Sequence, residues 1–326
     1  MRNTFFVGLI LLFISCGAKN SNAQANNETK ESSASTTVPA FSADSAYKYV
    51  QTQVDFGPRV PNTKQHVACG DYLVQQLERF GAKVTVQNVD LTAFDGTVLK
   101  SRNIIGCYNP QAETRVLLFA HWDTRPWADN DSNKKNHKKP ILGANDGASG
   151  VGVLLEIARN LGKQLPSIGV DIAFFDAEDY GDTGGNEDSW CLGTQYWAKN
   201  PHVLNYRAKY GILLDMVGAP QAKFYREMIS DYYAKDVTDK VWSQASALGF
   251  GNYFINEQGG GITDDHVYVN KLTGIPSIDI IQYDKNTSSG FGSYWHTVND
   301  TMENIDKNTL QAVGTTLIHV VYNEGM

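Results

Sequence analysis

The chain has 326 residues, 42% hydrophobic and 19% charged, with a formal net charge of −7. This balance suits one large α/β domain able to bury a sizeable core and excludes a chain too polar to fold. The acidic excess argues against nucleic acid as a partner, because phosphate binding needs a basic face.

Met1-Arg2-Asn3 is a short basic start, and Thr4 to Ser15 is apolar but too short to span a bilayer. The run stops at Ile14-Ser15-Cys16-Gly17, which resembles a bacterial lipoprotein cleavage box. The expectation is an exported periplasmic protein with a signal peptide over 1–16. Its contact with the membrane would be a lipid anchor at Cys16. The alternative is an ordinary secretory signal cut after Ser21-Asn22-Ala23. Asn20 to Val38 has almost nothing to bury, so 17–38 reads as a flexible polar tether and 39–326 as a single folded domain.

In chain order, Ser42–Phe56 and Thr63–Phe80 read as helices, the second carrying Val67, Tyr72, Leu73, Leu77 and Phe80 at helical spacing. Lys83–Leu91 alternates as a strand, Asn103–Tyr108 is a short strand, and Arg115–Ala120 is nearly all apolar. Gly147–Leu161 is a helix with Val151, Leu154, Leu155, Ala158 and Leu161 on one face. Val170–Phe175, Gly211–Leu214 and Ser277–Ile281 are further buried strands, and Asp231–Leu248 and Asp306–Tyr322 are helices. Buried strands alternating with helices predict an α/β fold: a mixed, mostly parallel central sheet with helices on both faces. Cys69, Cys107 and Cys191 fit no zinc ribbon; Cys69 and Cys107 read as buried free thiols, though an oxidising compartment would allow one disulfide.

In such sheets the ligand site lies beyond the carboxyl ends of the strands. Here nearly every strand end delivers an acid or a histidine: His121-Trp122-Asp123, Asp146 before a helix, Asp176-Ala177-Glu178-Asp179, Asp215, and later Asp264-Asp265-His266 and Trp295-His296-Thr297. Any one of these is ordinarily structural; an Asp before a helix is usually a cap. Converging on one rim, they would repel each other unless a cation sat among them. Carboxylate and imidazole donors suit zinc, and adjacent acids allow one to bind metal while the other moves protons.

At these residues the sequence resembles the zinc aminopeptidase clan and, within it, the animal-type glutaminyl cyclases, from about Ala43 to the C-terminus. The shared features are His121-Trp122-Asp123, Asp146, Phe174 to Asp179, Leu214 to Gly218, and His296-Thr297 followed by Asp300. The resemblance implies an aminopeptidase-like fold and conversion of N-terminal Gln of peptides and proteins to pyroglutamate with loss of ammonia. It implies one zinc ion (Zn2+) on Asp146, Asp179 and His296, with Glu178 as the proton-transfer group and Asp215 and Asp264 hydrogen-bonded to it. Trp295, Trp190, Phe291 and Ile262 would wall the substrate pocket. A monomer is expected.

Trp295 before His296, and the run from Gly260 to His266, favour cyclase over peptidase within the resemblance. This chain departs from the animal enzymes at Asp179, where they have Glu, and at Asp279, which takes the place of a pocket histidine. The loop Thr124–Pro140 aligns with nothing in them and reads either as a lid or as an exposed loop. Two other functions stay open. In a two-metal aminopeptidase His121 and Asp215 would join the ligand set. A noncatalytic binding lipoprotein would be expected to have lost a ligand or base position, and none is lost.

Overall fold

The apolar runs form the centre of the molecule because their side chains carry almost no polar atoms to leave unsatisfied when both faces are covered, and the sheet pairs their backbone groups. The computed structural model describes residues 37–324. The expected signal peptide, with Cys16, and all but the last two residues of the expected tether lie outside them. Those last two are already part of the fold: the Thr37 carbonyl accepts from Gln164 Nε2 at 2.8 Å, and Val38 packs on the core.

The elements are α1 (Ala43–Asp55), α2 (Lys64–Arg79), β1 (Lys83–Thr92), β2 (Val98–Tyr108), β3 (Arg115–His121), α3 (Ala148–Leu161), β4 (Gly169–Phe175), α4 (Leu192–Lys199), β5 (Gly211–Asp215), β6 (Phe224–Arg226), α5 (Met228–Ala247), β7 (Phe254–Gln258), α6 (Asp265–Thr273), β8 (Ser277–Ile281) and α7 (Lys307–Asn323). Ser42 and Thr63 cap α1 and α2 by accepting from Ser45 N and His66 N, each at 3.2 Å. No described helix is long and apolar enough to cross a membrane.

The main sheet has six strands in the order β1-β2-β4-β3-β5-β8. β1 and β2 form an antiparallel edge, β2 pairs antiparallel with β4, and β3/β4, β3/β5 and β5/β8 are parallel. The two-residue side-chain period sorts the core. Leu118, Ala120, Ile172 and Leu214 face α1, α3 and α7, whereas Leu117, Phe119, Ala173 and Phe175 face Trp197 of α4 and Val269 of α6.

The short helices α4 and α6 escape the sequence reading, as does the parallel pair β6/β7. In α6 the consecutive Val267, Tyr268 and Val269 look like strand until Asp264 caps them. β2 starts at Val98, five residues before the expected strand: its first half pairs with β1 alone, and only Ile104 to Tyr108 also pair with β4. Cys69, Cys107 and Cys191 are all free. Cys107 is only half-buried, a correction: its side chain lies beside Arg115, whose Nη2 approaches Sγ at 3.0 Å.

Four parallel strands set the site because β3, β4, β5 and β8 all end on one rim. Register places Leu213 beside Phe119 and Ile281 beside Asp215, so His121 and Asp215 finish level with each other. α3 crosses this rim closely: a methyl group on Gly150 would lie 2.2 Å from the carbonyl oxygen of Leu214. Gly→Ala inside a helix ordinarily gains about 1 kcal/mol, but here the contact is with backbone that cannot rotate away. Gly150→Ala should therefore destabilise the protein by about 1–3 kcal/mol, read as a lower urea midpoint with an unchanged slope.

Candidate active site

Beyond the strand ends the chain makes sharp turns that aim polar side chains inward. Ala177 after β4, Met216 after β5, Cys191 before α4 and His296 all have positive φ, between 47° and 54°. Non-glycine residues hold that conformation only where the surroundings enforce it. Asp146 does not cap α3. The cap is Gly147 at φ +93°, where a Cβ would meet Asp123 O at 2.7 Å and His121 Cε1 at 3.1 Å. Glycine there leaves the Asp146 carboxylate free.

Two further acids hold the backbone of these turns. Asp123 accepts from the N–H groups of Glu178 at 3.1 Å and Asp179 at 3.2 Å. Asp300 accepts from Asn145 N at 2.8 Å and Asp146 N at 3.0 Å. Sequence reasoning saw both acids as parts of motifs and assigned them no task; hydrogen bonds to N–H groups distant in sequence leave no spacing signal.

Asp146, Glu178, Asp179, Trp190, Asp215, Ile262, Asp264, Phe291, Trp295 and His296 all line one cavity of about 210 Å³. Thr183, Gly184, Glu187, Met216, Thr263 and Ile281 complete it. Ligand atoms of Asp146, Asp179 and His296 lie within 4.8 Å of one another. His296 Nε2 is 3.3 Å from Asp179 Oδ1 and 3.5 Å from Asp146 Oδ2. Both Asp179 oxygens are buried with no hydrogen-bond partner. Buried carboxylates so placed call for a cation, and a mixed carboxylate–imidazole set fits zinc. Asp179 reaches this group despite being shorter than the Glu of the animal enzymes.

His121 lies behind this group, with Nε2 3.1 Å from Asp146 Oδ1 and 3.2 Å from Asp215 Oδ1. His121, Asp146 and Asp215 form a second set of close donors that shares Asp146 with the first. Asp279 lies deeper still, fully buried on β8, with His266 Nδ1 at 3.9 Å.

Glu178, Asp264 and Cys191 bring ligand-type atoms within 4.8 Å of one another. The expected direct hydrogen bonds from Asp215 and Asp264 to Glu178 are absent among the described residues. Asp215 accepts from His121 instead, and Asp264 turns to the Asp265 N–H in capping α6. Glu178 Oε1 accepts from the buried Cys191 thiol at 3.4 Å, a partner sequence reasoning missed.

Burial dominates the electrostatics. It pushes Glu178 well above the usual carboxylate range; His121 opposes this, and the charges of Asp264 and Asp179 add to it. Burial takes Asp215 up to about 6 against its His121 hydrogen bond, and Asp264 up to about 7 with help from the Asp215 charge. Asp179 is raised by burial and then by Asp146. For Asp146 the upward push of burial is outweighed by His121, which holds its carboxyl low.

The cavity walls are aromatic. The Trp295 indole stacks on the His296 ring at 3.8 Å between centroids, Trp190 lies parallel to that ring at 6.0 Å, and Phe291 packs on Trp295 at 4.7 Å. The loop Thr124–Pro140 is neither lid nor free surface along its first half. Thr124, Arg125, Ala128 and Asp131 are buried, and Asn130 N donates to His296 O at 3.1 Å. Only the lysine-bearing second half is largely exposed.

The profile of peptidase family M28 matches residues 103–321, the stretch that carries all these groups. The chain belongs to peptidase family M28. Within that family it is similar to a solved Bacteroides thetaiotaomicron glutaminyl cyclase, at 60% identity and TM-score 0.87 over 88% of this chain and 99% of that one. It is equally similar to a Zn-dependent exopeptidase from Parabacteroides distasonis, at 60% identity and TM-score 0.87 over 88% of this chain and 100% of that one. The glutaminyl-peptide cyclotransferase of Bos taurus is 27% identical over 293 residues, covering 77% of this chain and 74% of its own. The mixed α/β M28 fold is thus shared with the relatives of both names.

A pH signature follows. Asp215 and Asp264 hold protons in the folded protein that they would release near their usual value of 3.8 when unfolded. Their contribution to stability is fully present below about pH 4 and is lost as pH rises through about 6 to 7. Chelator-treated protein should therefore melt at lower temperature at pH 8 than at pH 5. Zinc at a thousandfold excess over its dissociation constant should restore about 4 kcal/mol at pH 8, as thermal unfolding with and without zinc would show.

Proposed function

We propose that the chain is a glutaminyl-peptide cyclotransferase that converts N-terminal Gln of peptides and proteins to pyroglutamate and releases ammonia. The observation that carries this reading is the shape of the site. A cavity of about 210 Å³, well under the roughly 300–1,000 Å³ of drug-sized pockets, is walled beside the donor group by Trp190, Phe291 and Trp295, with Glu178 also on its wall. It suits one folded side chain with its own amine rather than an extended peptide and an attacking water. The similarity to solved glutaminyl cyclases supports the same conclusion.

The reaction joins two groups of one residue, so confinement in near-attack geometry supplies much of the acceleration. The α-amine nitrogen forms a bond to the side-chain carbonyl carbon, and the bond from that carbon to the amide nitrogen breaks. Asp146, Asp179 and His296 would hold one zinc, which when bound supplies Lewis-acid polarisation of the reacting carbonyl. Glu178 takes the proton lost by the α-amine and delivers it to the departing nitrogen. Its buried, acid-lined position keeps its proton affinity high enough for both halves of that transfer. Asp215 and Asp264, themselves raised by burial, line the same cavity as Glu178, and the indoles exclude water that would compete for the carbonyl.

A second reading, a zinc exopeptidase, draws on the second donor set of His121, Asp146 and Asp215, which would suit a two-metal site. The two readings separate cleanly. Zinc-loaded protein given one peptide beginning with Gln and another beginning with Leu should remove ammonia from the first and leave the second intact, by mass spectrometry, with one zinc per chain. Free Leu and two zincs would move the chain to the exopeptidases. Glu178→Gln should keep zinc and lose turnover by at least about 100-fold; near-normal turnover would sink the assigned role.

A further inference from the structure

Arg125 is the least expected charged side chain near the site: its guanidinium is fully buried and packs against the cavity-lining Thr183 and Trp190. Its donors are all spoken for. Nε and Nη2 grip the Asp129 carboxylate at 2.8 and 2.6 Å, Nη2 also reaches Thr183 Oγ at 2.6 Å, and Nη1 donates to the carbonyls of Asp179 and Gly181 at 3.1 and 3.3 Å. The guanidinium carbon lies 4.6 Å from the ring centre of Trp190 and 5.0 Å from that of Trp127. One side chain thus ties the turn after the metal donor Asp179 to a pocket wall.

Its counter-ion reaches the other donor segment. Asp129 Oδ1 faces His296 Nδ1 at 3.6 Å, on the opposite side of the ring from the Nε2 that faces Asp146 and Asp179. A carboxylate there favours the tautomer with hydrogen on Nδ1, leaving the Nε2 lone pair toward the donor group. The backbone repeats the link: Asn130 N donates to His296 O, and Val298 N donates to Asp131 Oδ2 at 3.2 Å. Two donor segments separated by more than a hundred residues are therefore joined through Arg125–Asp131.

We infer that Arg125 and Asp129 are positioning residues that set how tightly the Asp146–Asp179–His296 group retains its metal. A bidentate Arg–carboxylate pair fixes direction as well as charge, and partners behind metal ligands typically govern 10–100-fold of metal affinity. The inference rests on the donor set proposed above, and its readout is zinc retention rather than any reaction. Its failure and the failure of the cyclase reading are therefore told apart.

The test measures zinc dissociation by competition with a chromophoric chelator for wild type, Asp129→Asn and Arg125→Lys, with thermal unfolding of each in excess chelator. Asp129→Asn keeps shape and removes the charge facing His296; Arg125→Lys keeps charge and removes the fork. The expected result is zinc affinity weaker by about 10–100-fold in both, with metal-free melting temperatures close to wild type. If one variant does not fold, the other carries the test. Zinc affinity within twofold of wild type would overturn the inference. So would a loss of affinity matched by an equal loss of metal-free stability, which would reduce the pair to a structural brace.

Discussion

Negative charge buried at the ends of parallel strands is the constraint on which the rest of this structure depends. Asp146 and Asp179 are almost wholly buried, and both oxygens of Asp179 lack any hydrogen-bond donor. Little of either carboxylate is exposed to water, and their mutual repulsion is strong in a poorly polarisable interior. A protein can tolerate this only by protonating the acids, pairing them or binding a cation. Burial moves the neighbouring Asp215 and Asp264 toward the first course and raises the proton affinity of Glu178 as well. The donor group with His296 has the chemistry for the third.

Holding such a site together requires backbone that would not choose its own conformation. Positive φ at Ala177, Met216 and His296 costs energy at each turn. The opposing restraints are buried side chains of the next layer. Asp123 and Asp300 bind the N–H groups of the two acid-bearing turns, and Arg59 donates to the carbonyls of Trp122, Leu142 and Gly143. These interactions explain why so many charged groups sit at zero exposure in an otherwise ordinary core. They act on backbone atoms, so they fix where the donors point without occupying the cavity.

Much of the site was legible because parallel α/β architecture brings strand ends together regardless of the distance between them in sequence. Apolar runs such as Arg115–Ala120 and Val170–Phe175 announce the strands, and the residue after each is then a rim residue. His121 and Asp215 follow from that rule; after Val170–Phe175 it gives Asp176, which meets His66 instead, and Asp179 lies three residues further on. Trp190, Ile262, Phe291 and Trp295 lie in long connections with no periodicity, and they were reached only through resemblance to a family. Cys191 and Arg125 were missed altogether. A thiol beside a carboxylate and a guanidinium beneath an indole are pairings between distant loops, invisible to local pattern.

By itself the sequence determined the six strands of the main sheet and the long helices in order, the acidic and imidazole groups available at the rim, and their kinship with the zinc aminopeptidase clan and glutaminyl cyclases. These follow from short-range periodicity and from residue identity. The tertiary structure decided which acids share a cavity, which ones turn away to cap a helix or meet His121, and that the first half of the Thr124–Pro140 loop is a clamp rather than a lid. Those outcomes depend on strand register and on contacts a few ångströms long between residues far apart in the chain. No spacing within a single segment encodes them.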